Sequence, residues 1–197
     1  MFITGLGAAR VKIKTGEECL ISNVKNIEYK LIEFWRWSTS DLLSNATRGK
    51  FAEYIVATAM DADLSLPIEE WSEYDLNVKG IKIEVKTSSY LQTWSQSNYS
   101  KIIFLIKRKG DTSVKTKKED LNRPSDLYVF CLLNHKDKKT VNPLNMDQWL
   151  FYVLSTNKIN NIFKEKNSIS LEKLEKEVIG IKYDELKERI LNEYQNK

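Results

Sequence analysis

The strongest constraint on the fold is a run in which apolar and charged side chains alternate strictly, from Ile81 to Lys86. Because successive side chains of a β-strand point to opposite faces, this run predicts a strand with one buried face. Its charged side chains then share the other face: Lys82, Glu84 and Lys86. Glu84 and Lys86 are therefore expected to be neighbours on one surface.

The residues before this strand are turn-like and predict a β-hairpin whose turn is centred on Val78 and Lys79. With that register, Asp75 pairs with Lys82 and lies diagonally from Glu84 on the same face. A loop one residue longer or shorter would move Asp75 to the opposite face. The predicted site therefore depends on the register of this hairpin.

Two carboxylates at that separation favour a cation between them. They repel each other, and one pKa would rise unless a positive charge lies close by. Oxygen ligands suit Mg2+ or Mn2+, and such an ion would lower the pKa of a bound water. Lys86 would orient that water or help to deprotonate it, which suits phosphodiester hydrolysis. The alternative is an exposed strand face on which lysine and glutamate simply meet water.

Residues 47–60 predict a helix with a buried stripe. The stripe has helical spacing and consists of Ala52, Ile55, Val56 and Ala59. On the same helix, Glu53 is flanked four residues away on each side by Gly49 and Ala57. Small residues there would let the helix lie close to a sheet with Glu53 aimed past them. The alternative is that Glu53 faces solvent.

The remaining pattern predicts one α/β domain spanning residues 1–197. Its core is expected at about 45–155, with an N-terminal arm and helix at 1–44 and C-terminal helices at 156–197. Apolar runs predict central strands covered on both faces, at 101–105 and 127–133, and a further strand at 149–154. Helical spacing predicts a helix within 27–43 and amphipathic helices within 168–194.

Composition limits the chemistry that is available. The chain has one histidine, His135, in a polar segment where a surface loop is expected, so hydrolysis must rely on carboxylates and lysine. Cys19 and Cys131 are far apart in sequence and fit neither a disulfide framework nor a zinc cluster, and Cys131 is expected to be a core thiol. No segment resembles a membrane span or a signal peptide, which favours a cytoplasmic location.

A basic stretch follows the strand predicted at 101–105. It contains Lys107, Arg108, Lys109, Lys115, Lys117 and Lys118. The net charge of +4 tolerates a nucleic-acid partner without demanding one, and these side chains are candidates for contacts with phosphates. The alternative is a solvated loop. Three aromatic residues nearby, Tyr90, Trp94 and Tyr99, are expected to pack on the core rather than stack on bases.

The order of these features resembles a known family. Asp75 followed by Glu84-Val85-Lys86, with Glu53 on a preceding helix, is similar to the signature of the PD-(D/E)XK nuclease superfamily, which has the restriction-endonuclease-like fold. The runs 48–54 and 83–92 also resemble those of bacterial members. The resemblance covers about residues 45–155. Tyr74 precedes Asp75 where the pattern often has proline.

The resemblance implies a mixed central β-sheet flanked by helices. It implies that Asp75, Glu84 and the Val85 carbonyl bind Mg2+, with Mn2+ as an alternative, and that Lys86 acts on the nucleophilic water. Glu53 would be a direct or outer ligand of the ion. Two polar residues after the lysine are candidates for contacts with substrate or with the metal ligands, Ser88 and Gln92.

The sequence thus predicts a Mg2+-dependent, restriction-like DNA endonuclease that could act as a homodimer, with no membrane partner. A catalytically inactive nucleic-acid-binding module with the same fold is one alternative. An interaction subunit that docks through its C-terminal helices is another.

Overall fold

The structure, a computed structural model, describes residues 11–68, 72–109 and 122–197. The described residues form two compact units. The smaller unit holds 11–40 and 63–68, and the larger holds 41–62, 72–109 and 122–197.

The smaller unit contains one helix, α1 (Leu31–Thr39), which lies within the predicted range. The backbone N–H of Lys30 donates to the Glu33 carboxylate at 2.7 Å and so satisfies one group at the start of the helix. Gly16 has φ +92°, and a Cβ there would lie 3.0 Å from the Trp35 ring, so this position favours glycine.

The larger unit carries the remaining elements. In chain order they are α2 (Asn45–Ala59), β1 (Leu76–Val78), β2 (Ile81–Ser89), β3 (Ile103–Leu105), β4 (Leu127–Leu133), β5 (Trp149–Ser155), α3 (Thr156–Phe163), β6 (Ser168–Ser170), α4 (Leu171–Leu174) and α5 (Tyr183–Gln195). A short 3-10 helix, Met146–Gln148, precedes β5.

A mixed four-stranded sheet forms the centre of this unit, in the order β1-β2-β4-β5. β1 is antiparallel to β2, β2 is parallel to β4, and β4 is antiparallel to β5. All seven residues of β4 are buried, as expected for a strand covered on both faces. The predicted mixed sheet flanked by helices is confirmed.

Each face of the central sheet has its own core. On one face, side chains such as Ile83 and Val129 pack with α2 and α5. On the other face, side chains such as Phe130 and Leu154 pack with α3, α4 and the small sheet of β3 and β6. Because β2 alternates, its charged side chains point to this second face while its apolar ones join the first core.

Two predicted elements differ from the structure. The strand predicted at 101–105 is wrong as a central strand, because β3 pairs only with β6 in a separate two-stranded sheet. Its Ile103 and Leu105 are 48% and 64% exposed, and only Phe104 is buried. The stretch 168–194, predicted as helices only, begins with β6 because Ile169 pairs with Phe104. No helix in the described residues is both long and apolar enough to cross a membrane.

Candidate active site

The β1–β2 hairpin turns at Lys79 and Gly80, which have φ values of 53° and 85°. Two central residues with positive φ form the type I′ turn, whose twist matches that of the flanking strands. Gly80 adopts this conformation without a side-chain penalty. The turn is therefore centred one residue later than the sequence predicts.

This turn changes the register of the hairpin by two residues. Leu76 pairs with Ile83, and the Asp75 N–H donates to the Ile83 carbonyl at 3.1 Å. The predicted pairing of Asp75 with Lys82 is wrong, and Asp75 lies opposite Glu84 instead of diagonally from it. A shift of two residues preserves the face of every side chain, because the strand period is two. Asp75 therefore lies on the same face as Glu84, which is the condition on which the predicted site depends.

Lys86 joins the two carboxylates. Its Nζ lies 2.6 Å from Oε1 of Glu84 and 3.6 Å from Oδ2 of Asp75. The same Asp75 oxygen accepts a hydrogen bond from the Val85 N–H at 2.7 Å. The three predicted side chains therefore converge on one side of the hairpin, where the backbone and an ammonium group hold the carboxylates in place.

Burial differs sharply within this cluster. The side chain of Glu84 is 1% exposed, whereas those of Asp75 and Lys86 are 24% and 27% exposed. A buried carboxylate is costly unless charged or polar partners surround it. Glu84 has such partners at both oxygens, since Lys86 contacts Oε1 and Lys109 Nζ donates to Oε2 at 2.8 Å.

Lys109 belongs to the basic stretch in which the sequence predicts phosphate contacts. The structure places it against Glu84, and its Nζ also donates to the Glu73 carbonyl at 3.1 Å. The basic composition of 107–118 singles out the stretch but not this lysine, because its partner lies 25 residues away in sequence. Sequence reasoning therefore named Lys109 as a phosphate contact but missed its pairing with Glu84.

Glu53 lies on α2, near enough to the cluster for the charges of Asp75 and Lys86 to act on its pKa. Its side chain is 13% exposed, so it does not face solvent, and Lys50 lies 3.5 Å away. Burial raises the pKa of Glu53, and the negative charge of Asp75 raises it further. Gly49 was predicted to let the helix lie close to the sheet. This is wrong, because nothing lies within 4 Å of where its Cβ would be.

Tyr128 is a neighbour of the site that the sequence does not signal. The parallel register of β2 and β4 pairs it with Glu84, and it is 1% exposed. Burial, and then the charge of Glu84, raise the pKa of its phenol. Tyr128 therefore stays neutral beside the carboxylate. Only the pairing of two distant strands brings these residues together.

The donor set suits a hard divalent cation. No group of three or more histidine, cysteine, aspartate or glutamate side chains forms a metal cage in the ranges that the structure describes. Mg2+ usually takes one or two carboxylates and keeps several waters, so Asp75 and Glu84 are sufficient in number. The Val85 carbonyl lies on the same strand edge as its N–H, which faces Asp75. The residues present therefore fit such an ion.

Ser88 and Gln92 follow the lysine at the end of β2. Ser88 is partly buried on the same face as Lys86. Gln92 is 6% exposed, and its Nε2 donates to the Ser89 carbonyl and to Ser100 Oγ, each at 3.2 Å. In this structure Gln92 braces the loop after β2.

The aromatic residues of that loop do not all pack on the core. Trp94 and Tyr99 are 55% and 56% exposed, so the prediction of core packing is wrong for both. Tyr90 does pack against the second core. Lys136 Nζ lies 4.5 Å from the centre of the Tyr90 ring, a cation–π contact.

The other basic residues have separate positions. Lys107 is exposed, and Arg108 pairs with Glu165 at 2.7 Å. Three of the predicted phosphate contacts lie outside the described residues: Lys115, Lys117 and Lys118.

Two predictions about single residues are confirmed. His135 lies in a loop, where its Nε2 is 2.7 Å from Thr140 Oγ1. Cys131 is fully buried in the first core, and burial raises the pKa of its thiol.

The protein is a nuclease, because a nuclease family model matches most of the chain and the side chains of the site suit phosphodiester hydrolysis. The chain belongs to the bacteriophage T4 endonuclease IV family, whose model, described as "Bacteriophage T4 endonuclease IV", matches residues 12–173. The match includes Glu53, Asp75, Glu84 and Lys86. No curated protein and no solved structure matches the chain.

Proposed function

We propose that this nuclease is a metal-dependent DNA endonuclease of the PD-(D/E)XK kind, with a restriction-endonuclease-like fold and a centre of Asp75, Glu84 and Lys86. The observation that carries the proposal is the position of Lys86, whose Nζ contacts both carboxylates at 2.6 and 3.6 Å. A mixed sheet with this hairpin at its edge and a carboxylate-bearing helix beside it supports the fold assignment.

Asp75, Glu84 and the Val85 carbonyl would hold Mg2+, with Mn2+ as a substitute. When bound, the ion lowers the pKa of a water molecule and offsets negative charge on the phosphate. Glu53 would be a direct or outer ligand of the ion, since it lies close enough to Asp75 for that charge to raise its pKa.

The chain's own residues would then position the reactants. The ammonium group of Lys86 has three N–H donors and forms ion pairs with Glu84 at 2.6 Å and with Asp75 at 3.6 Å. A donor that does not face a carboxylate would serve an attacking water or an oxygen of the scissile phosphate. Preorganised donors aimed at developing charge are a large contribution to catalysis. Glu84, held rigidly by burial, keeps the ammonium group in place.

DNA is the proposed substrate because the chain belongs to an endonuclease family and carries a net positive charge. Exposed cations such as Lys107, two residues before Lys109 in the chain, would neutralise phosphates of the bound strand. Each such contact on duplex DNA would add about 0.9 to the slope of log affinity against log salt concentration.

The experiment is to incubate the protein with plasmid, linear and single-stranded DNA, and with RNA, in Mg2+, Mn2+ or EDTA. Cleavage of DNA is expected with either ion and not in EDTA. Lys86→Ala should reduce the cleavage rate by about 10²- to 10⁴-fold, the usual contribution of a positioned proton-transfer group, while DNA binding survives.

Lys82→Ala is the matched control. Lys82 lies on the same strand and the same face as Lys86, but its ammonium group lies 5.4 Å from the Tyr74 ring centre and not on the carboxylates. Its removal should leave cleavage intact. If the wild-type protein neither cleaves any of these substrates with a divalent ion nor binds the ion, the proposal is overturned. Salt-dependent DNA binding without turnover would instead identify a binding module.

A further inference from the structure

Lys109 is held at the site by its backbone as well as by its side chain. Its N–H donates to the Asn122 carbonyl at 2.7 Å, and the Asn122 N–H donates back to the Lys109 carbonyl at 2.9 Å. Its Nζ contacts Glu84 of β2 and the carbonyl of Glu73, three residues before β1. The backbone of Lys109 is therefore anchored independently of the ammonium group at the end of the side chain.

Glu84 has one ammonium group on each oxygen. Lys86 occupies Oε1 at 2.6 Å and Lys109 occupies Oε2 at 2.8 Å. Mg2+ binds carboxylate oxygens at about 2.0–2.1 Å, so an ion on Glu84 would lie only a few ångströms from both ammonium groups. Like charges at that separation repel, so the ion and at least one lysine compete for the carboxylate.

Of the two lysines, Lys109 is the one that is free to leave. Its side chain is 44% exposed, against 27% for Lys86, and Lys86 also contacts Asp75. A lysine side chain has a flexible four-carbon stem, so its ammonium group can move into water while the two backbone hydrogen bonds with Asn122 remain. Once released, that group lies next to the site where a phosphate would bind.

We propose that Lys109 is a positioning residue that holds Glu84 in the metal-free protein, is displaced when a divalent ion binds, and then pairs with a phosphate of the nucleic acid. This rests on the proposed function, because it assumes an ion at Asp75 and Glu84. It assigns to one lysine two successive partners, a carboxylate and a phosphodiester oxygen.

The test measures Mn2+ affinity by calorimetry in the absence of nucleic acid, for the wild type, Lys109→Met and Arg108→Met. Loss of the competing charge should tighten Mn2+ binding to Lys109→Met by about tenfold, within the 5- to 150-fold range of typical coupling between bound groups. Arg108→Met removes the same charge from the next residue, but Arg108 pairs with Glu165. It should leave Mn2+ affinity unchanged.

A second measurement follows the released ammonium group. With Ca2+ present, Lys109→Met should lower the salt slope of binding to a duplex DNA by about 0.9, as expected for one phosphate contact. In EDTA, where Glu84 retains Lys109, the slope should not change.

The outcomes separate the two proposals. If Lys109 only supported the fold, Lys109→Met would bind Mn2+ more weakly, and this result or unchanged affinity would overturn the inference while the proposed function stands. If the wild type binds no divalent ion at all, the proposed function and this inference both fall. A lowered slope in EDTA would show that Lys109 contacts phosphate without being displaced, which also overturns the inference.

Discussion

Glu84→Gln tests the charge cluster without any substrate. The amide is close to the carboxylate in size, so the substitution removes charge with little change in packing. The side chain is 1% exposed and contacts two ammonium groups, at 2.6 and 2.8 Å. The variant is expected to be less stable than the wild type in EDTA.

The magnitude follows from burial and from the number of contacts. Each hydrogen bond to a charged group contributes roughly 1.5–3 kcal/mol, and breaking a fully buried ion pair costs about 3–5 kcal/mol. Lys86 and Lys109 are 27% and 44% exposed, so water recovers part of their solvation after the change. We therefore expect a loss of about 2–4 kcal/mol in the free energy of unfolding.

The assay is urea and thermal denaturation in EDTA, followed by circular dichroism. For a chain of this length, about 1 kcal/mol corresponds to roughly 2–4 °C in Tm, so the decrease should be about 4–16 °C. Glu165→Gln is the control, since its carboxylate pairs with Arg108 at the surface and is 67% exposed. Such a pair contributes about 0–1 kcal/mol.

A Glu84→Gln protein that is as stable as the wild type in EDTA, or more stable, would refute this reasoning. It would mean that repulsion among the carboxylates outweighs the contacts with the two lysines.

Three further predictions test separate features. In EDTA, Glu53→Gln should raise the free energy of unfolding near neutral pH, because burial and Asp75 raise the folded pKa of Glu53 above its unfolded value of about 4.3. The wild type therefore loses stability as the pH rises through the folded pKa, and the advantage of the variant should vanish at about pH 4 in urea titrations. Gly80→Ala should lower stability by about 1 kcal/mol in the same assay, from backbone strain alone, since no atom lies within 4 Å of the added Cβ. A thiol reagent should label only Cys19 in the native protein and both cysteines in denaturant, because Cys131 is buried.

Each of these has a clear contrary result. A Glu53→Gln advantage that grows toward acid pH would reverse the assigned direction of the pKa shift. An unaffected Gly80→Ala protein would argue against the positive φ of 85° at the turn. Rapid labelling of two thiols under native conditions would contradict the burial of Cys131.

The candidate site could be predicted from local sequence because strand alternation is a local property. Ile81 to Lys86 alternate, so Glu84 and Lys86 had to share a face once this segment became a strand. The face of Asp75 was also predicted, although the turn was misplaced by one residue. The resulting error of two residues in register left every side chain on its face.

The long-range neighbours could not be predicted in this way. β3 carries an apolar run like that of β4, yet it lies outside the central sheet, because its partner is β6 and not β2. Apolar runs show that a segment is partly buried, but they do not show which segment pairs with it. The pairing of Lys109 with Glu84 could not be predicted either, because nothing near Lys109 in the sequence distinguishes it from the other basic residues of its stretch.

The sequence by itself determined the hairpin strand, the buried stripe of α2 and the side of the hairpin on which the acidic and basic groups meet, because short-period patterns depend only on neighbouring residues. The tertiary structure alone decided that Glu84 is 1% exposed, that Tyr128 lies beside it and that Lys109 neutralises it. These features require strands and loops that are 25 or more residues apart to meet, and burial and charge pairing depend on that meeting.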